Sequence, residues 1–123
     1  MAWDGKKILA LSNEIKGNNK TLYDFMLIEG EEVNFEYKSF RDCLIFTTHR
    51  LIIIDVQGIT GKKKEFMSLN YNKLTSFSIE TAGTFDLDSE LKLWASGLGM
   101  IEFGFTKNSN ILQLVKFLSK NTI

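Results

Sequence analysis

The sequence predicts a mainly β (α+β) domain: short N-terminal helices, about seven antiparallel strands, and one C-terminal helix laid over their open end. Three observations carry that expectation. The stretch RDCLIFTTHRLIIIDVQG at 41–58 reads as two strands joined by a polar turn at Thr48-His49 and closed by Gly58. It is dominated by Ile, Val, Phe and Thr, the side chains that suit a pleated, half-buried surface. Period-two alternation then recurs in further segments between Val33 and Phe105. Last, Ile111, Leu114, Val115 and Leu118 follow the i, i+3, i+4, i+7 rule of an amphipathic helix.

In chain order, residues 1–28 read as helical. Ile8, Leu9, Leu11 and Ile15 fall near three-to-four-residue spacing, with Lys6, Lys7, Asn13, Glu14 and Lys16 between them. Gly17-Asn18-Asn19 is a break, after which Thr21 is placed to cap a second short helix with Asp24 three residues on. That helix carries Leu22, Phe25, Met26 and Ile28, and Gly30 ends it. From Glu29 the pattern switches to strands. Val33, Phe35 and Tyr37 alternate with polar residues, and the 41–58 hairpin follows. Its apolar residues run together instead of alternating, at Leu44 to Phe46 and at Leu51 to Ile54, which predicts burial on both faces.

Gly58 to Lys64 is a glycine-bracketed basic loop, and residues 65–71 and 74–81 form two further strands. Ala82-Gly83 turns the chain into a strand whose Phe85, Leu87, Leu91 and Leu93 point one way, with Asp86, Asp88, Glu90 and Lys92 opposite. Gly97 to Gly99 turns it again into a last strand around Ile101, Phe103 and Phe105. The terminal helix is capped by Asn108, Ser109 or Asn110. It carries Lys116 and Lys120 towards its C-terminal end, where the helix dipole favours cations.

At 123 residues one domain is expected, large enough to bury a core without staples. Ten phenylalanines against no proline suggest large side chains packed under a curved sheet. Fifteen basic and fifteen acidic side chains cancel, which argues against a dedicated nucleic-acid binder. The single Cys43 excludes an internal disulfide and a multi-cysteine zinc site. No apolar run approaches the roughly 20 residues that cross a bilayer, and the N-terminus does not read as a signal peptide. A soluble, cytoplasmic protein is therefore expected.

The stretches 41–58, GITGKKK at 58–64 and FSIETAGTFDLDSELKLW at 77–94 together resemble the bacterial pleckstrin-homology-like (PH-like) family, once filed as a domain of unknown function. The resemblance covers roughly residues 29–121 and divides the chain into an N-terminal helical segment, 1–28, and a PH-like domain, 29–123. It implies a PH-like β-barrel of two orthogonal antiparallel sheets capped by the C-terminal α-helix. It also implies ring-like homo-oligomers and no catalytic activity. Asn70 departs from the family, whose members often read Leu-Pro-Tyr there.

Cys43 and His49 sit on one hairpin, yet nothing marks the orienting group or oxyanion hole that a nucleophile would need. A strand cysteine beside Leu44 reads as a small buried hydrophobe, so no enzyme is expected. Asp86, Asp88 and Glu90 line one strand face and match no calcium loop; a solvated face or subunit contact is expected, with no metal and no cofactor. Lys62, Lys63 and Lys64 lack P-loop spacing and are the candidate contact for an anionic membrane surface. Lys38 and Arg41 supply part of the basic signature of phosphoinositide-binding PH domains, but Cys43 stands where a further arginine would be wanted. Trp3 and Trp94 are candidate interface anchors. The doubly apolar hairpin needs cover on its second face, from the N-terminal helices or from another subunit. Ile45, Ile52, Ile54 and Trp94 are accordingly the candidate subunit interface. The expected partners are the chain itself, another protein or a membrane surface, and no nucleic acid.

Overall fold

The computed structural model describes residues 3–84 and 87–123. Eight strands follow in order: β1 Lys6–Asn13, β2 Val33–Lys38, β3 Cys43–Thr47, β4 Arg50–Gln57, β5 Lys63–Asn70, β6 Leu74–Thr81, β7 Ser89–Ala95 and β8 Gly99–Phe105. A short helix α1, Lys20–Tyr23, and a 3-10 turn, Asp24–Met26, lie between β1 and β2. A second 3-10 turn, Tyr71–Lys73, joins β5 to β6, and helix α2, Ile111–Thr122, ends the chain. The strands form one sheet in the order β5-β4-β3-β2-β1-β8-β7-β6. It curls into a half-barrel and leaves β5 and β6 as its two edges.

The fold is mainly β and PH-like, as expected, with one strand added. Residues 6–13 are that strand, so the helical reading of this segment is corrected. Ile8 pairs with Phe103 and Leu11 with Phe105, so three steps along β1 match two along β8. The extra residue is a bulge, and Ala10 within it takes φ 60°. A bulge converts the period of two into a spacing of three, and the apolar residues then imitate a helix. β1 also runs parallel to β8 and antiparallel to β2, so the sheet is mixed. The helix expected further on is short and begins after Asn19, not at Thr21.

The concave side of the sheet holds the main core, with Tyr37, Leu44, Phe46, Leu51 and Ile53 from one half and Leu91, Leu93, Ile101, Phe103 and Phe105 from the other. Helix α2 closes this core with Ile111, Leu114 and Leu118. Phe117 adds a ring that meets Phe35 at 5.4 Å, Tyr71 at 5.6 Å and Phe46 at 6.3 Å. Two buried hydroxyls tie the closure down: Tyr37 donates to the Ser109 carbonyl at 3.0 Å and Tyr71 to the Thr47 carbonyl at 2.6 Å. Asn110 stands at the N-cap of α2 without a side-chain capping bond.

The outer face of β3 and β4 carries a second, smaller core of Tyr23, Cys43, Ile45, Ile52 and Ile54, with Leu22, Met26, Leu27, Val33, Val56 and Phe66 packed against it. Residues 20–27 are thus the cover that the doubly apolar hairpin needs. In β7 the burial alternates from Ser89, not from Phe85. Leu87 lies before the strand and is exposed, which corrects its assignment to the buried face. Phe85 and Asp86 lie outside the described residues.

Candidate functional site

Two of the hairpin turns, β2–β3 and β4–β5, lie at the same end of the sheet, as successive antiparallel turns must. Arg41 in the first donates through Nη2 to the Gly58 carbonyl in the second. The first turn is tightened by Ser39, whose Oγ accepts from the Asp42 amide at 2.9 Å. Asp42 is turned towards β4, where Oδ1 accepts from the Val56 amide at 2.9 Å. Gly58 and Gly61 both take positive φ, 78° and 70°, which lets the second turn fold back sharply. At the two apices stand Phe40 and Ile59, with relative exposures of 97% and 105%. Lys62, Lys63 and Lys64 are all exposed beside them.

Behind this rim the acidic groups are engaged. Lys6 Nζ lies 2.9 Å from Asp55 Oδ2, and Gln57 Nε2 donates to the same oxygen at 2.8 Å. Burial alone would raise the Asp55 carboxyl, but these two bonds outweigh it and the group is held below its ordinary range. Trp3 Nε1 donates to Glu65 Oε2 at 3.2 Å, which ties the buried indole to β5. Trp3 is therefore an internal anchor.

The other residues singled out in the sequence separate into structural roles. Cys43 is buried, and desolvation pushes its thiol up to about 11, so at neutral pH it is a protonated, unreactive thiol. His49 is exposed beyond the far end of β3, with Nδ1 2.8 Å from Thr48 Oγ1. The length of the strand separates it from Cys43, so the two form no pair. Asp88 and Glu90 are exposed, and no cluster of three or more metal-ligating side chains forms among the described residues. Ile45, Ile52 and Ile54 are fully buried beneath residues 20–27 of the same chain. That corrects their assignment to a subunit interface. Trp94, 37% exposed on the outer face of β7, remains accessible.

Two buried carboxylates that sequence reasoning missed hold the cover in place. Glu36 accepts at Oε1 from the Gly17 amide at 2.9 Å and from the Tyr23 hydroxyl, and at Oε2 from the Asn19 amide at 2.7 Å and Asn19 Nδ2 at 2.8 Å. Burial first, and then this carboxylate, push the Tyr23 phenol far up. Glu31 takes Arg50 in a two-pronged pair, both bonds 2.9 Å, together with the Thr47 hydroxyl at 2.6 Å and the Ile28 amide at 3.1 Å. Burial would raise Glu31, yet these donors win and hold it at about 2. The available signal was that Glu36 sits among alternating apolar residues with its side chain on the hairpin's outer face.

Comparison with known proteins agrees with this architecture. A family model described as a bacterial PH domain matches residues 5–122. The uncharacterised protein YjqA of Bacillus subtilis (strain 168) is 50% identical over 96 residues, 76% of this chain and 77% of its own. A DUF1696 family protein with a pleckstrin-homology domain from Shewanella loihica PV-4 superposes with TM-score 0.80 at 33% identity, covering 94% of this chain and 99% of that one. A pleckstrin homology domain from Shewanella amazonensis SB2B gives TM-score 0.68 at 36% identity, with 91% of each chain covered.

Proposed function

The chain belongs to the bacterial PH domain family, and we propose that it acts as a non-enzymatic interaction module that self-assembles head to tail into a ring. The observation that carries this reading is a pair of oppositely charged free edges. Neither β5 nor β6 has a second strand partner among the described residues. Each edge is eight residues long and contains no proline, and such an edge is a row of unpaired N–H and C=O groups. Glu80 on β6 stands directly opposite Glu90 on β7, and neither makes an ion pair among the described residues. Like charges in that position repel unless a cation joins them. The β5 edge begins with Lys63 and Lys64. If β5 of one copy is laid antiparallel along β6 of the next, ends matched, Lys64 falls opposite Glu80. The two patches differ, so the contact is heterologous and closes into a ring when the rotation per copy allows it. Trp94, exposed on β7 one strand in from the β6 edge, is the apolar group available to flank the seam. The reading sets the module in the cytoplasm, where a lone thiol stays reduced.

Light scattering of the purified chain tests this. A mass several times 14.1 kDa is expected at tens of micromolar in physiological salt. Glu80→Lys should shift the distribution towards the monomer, and adding Lys64→Glu to it should restore assembly. A single species of 14.1 kDa in the parent protein overturns the proposal.

A further inference from the structure

We propose that the cleft where β1 parts from β2 is a docking groove for a short, uncharged, extended segment of a partner protein, taken up as a strand along β2. β1 and β2 pair at only two positions, Ser12 with Lys38 and Asn13 with Tyr37. The Glu14 amide adds a last bond to the Glu36 carbonyl at 2.8 Å. Beyond it the chain leaves the sheet, because the Glu36 carboxylate draws the Gly17 and Asn19 amides over the outer face. Val33, Asn34 and Phe35 are left without a strand on the β1 side, while β3 holds the other side of β2. Such a strand side is a row of backbone donors and acceptors that an extended chain can complete.

This gap is walled, unlike the β5 and β6 edges. Residues 13–16 line one side and the first turns of α2 the other, around a groove of about 740 Å³, in the size range of clefts that hold ligands. Two observations mark it as built for an occupant. Asn34 stands in a bulge, since Val33 and Phe35 pair with the consecutive residues Thr47 and Phe46, and its Oδ1 is buried with no hydrogen-bond partner. A buried acceptor costs stability until a donor reaches it. Asn110 occupies the N-cap of α2 in the left-handed conformation yet makes no capping bond, so its carboxamide is not spent on the helix.

The lining selects the partner. Asn13, Asn34, Asn110 and Gln113 contribute carboxamides, which pair an N–H donor with a carbonyl acceptor as a peptide bond does. The acids are engaged within the chain. Glu36 takes Gly17, Asn19 and Tyr23, and Glu14 Oε1 accepts from the Asn18 and Asn19 side chains at 2.9 and 3.2 Å. Uncharged amide groups therefore meet the occupant, which suits a main chain and not a phosphate or a polycation. Phe117 and the exposed Ile15 add apolar contacts for its side chains. The ordered edge strands of a second copy are eight residues long and already paired along one side, whereas the groove ends where Glu14 meets Glu36. A flexible segment enters where such a strand does not. The inference does not rest on ring assembly, which uses the β5 and β6 edges.

Selection of a phage-displayed library of random heptapeptides against the full chain tests the proposal, with the enriched peptides then measured by fluorescence anisotropy. Bound peptide is expected to slow hydrogen exchange at Val33 to Glu36 and to leave β5 and β6 unchanged. N-methylation of a central peptide amide should weaken binding at least about tenfold, because it removes a main-chain donor. Asn34→Leu removes the carboxamide and keeps a side chain of similar length. It should weaken binding about tenfold or more while the melting temperature holds or rises, since nothing in the chain bonds that oxygen. Gln113→Ala, on an exposed position, should weaken binding by less and leave the melting temperature unmoved. No enrichment over an Asn34→Leu/Gln113→Ala control overturns the proposal, as does equal affinity of the N-methylated peptide, a readout that needs no variant to fold. Protection confined to β5 or β6 also overturns it, because peptides would then be adding to the open edges. If Asn34→Leu lowers the mass in light scattering and leaves peptide binding untouched, the groove serves a second copy and the partner reading is wrong. Peptide binding retained in a monomeric Glu80→Lys variant would support the groove even where assembly fails.

Discussion

Strands β3 and β7 belong to the same sheet and are built on opposite plans. β3 is buried at every one of its five positions, whereas β7 alternates strictly between buried and accessible. Both turn one face to the main core. They differ in what lies outside. The chain between β1 and β2 folds back over β3 and β4 and buries Ile45, Ile52 and Ile54, while the outer face of β7 presents Glu90, Lys92 and Trp94 to solvent. The lesson is that a continuous apolar run in this family of folds need not signal a partner: a 19-residue connection, residues 14–32, supplied the cover from within the chain.

The contrast can be broken most violently at the outer face of β3. Ile45→Asp should unfold the protein, a loss above about 4 kcal/mol, because it sets an unpaired charge in a sealed core. Thermal melting checks this, and a folded variant would show that the 20–27 segment is not packed on the hairpin. Leu118→Asp on α2, where the main core closes, should be equally severe.

The next effect concerns what fastens the cover. Glu36→Ala strands the Gly17 and Asn19 amides and the Tyr23 hydroxyl, and should cost about 2–4 kcal/mol. Amide hydrogen exchange should then speed up in residues 17–27 well before β7 and β8 are affected. Uniform acceleration through the chain would mean that the cover and the barrel are one cooperative unit.

Acid should separate the same two regions. Glu31 titrates at about 2 in the folded chain against an ordinary 4.5. A lowered folded value stabilises above the unfolded value, so this contribution is complete above about pH 5. It is lost as the pH falls through 4.5 towards 2, on the order of 3 kcal/mol in all. Denaturant titrations at stepped pH should show that decline, and Glu31→Gln should flatten much of it.

The smallest effect belongs to the exposed face. Glu90→Lys replaces a like-charged cross-strand pair with Glu80 by an opposite one and should raise stability by a few tenths of a kcal/mol. A loss above about 1 kcal/mol would show that the outer face of β7 is not the solvated surface described.

Local chemistry made much of this legible. The strands from Val33 to Phe105, the 41–58 hairpin, its double burial and the stripe of α2 all follow from side-chain period and branching, which neighbouring residues set. The basic loop at 62–64 was legible too, because three lysines in sequence are adjacent in any fold. By contrast, β1 was hidden by one bulged residue at Ala10, which gave a strand the spacing of a helix. The exposed tips were hidden because Phe40 and Ile59 look like any other apolar residues until both turns are seen side by side. The Glu36 and Glu31 anchors were hidden because each gathers donors from positions up to 19 residues away. Composition and period thus determined that this chain is a curled sheet closed by a helix. Only the tertiary structure decided which apolar face is covered by the chain itself and which apolar side chains stay exposed, since burial depends on residues that are distant in sequence and near in space.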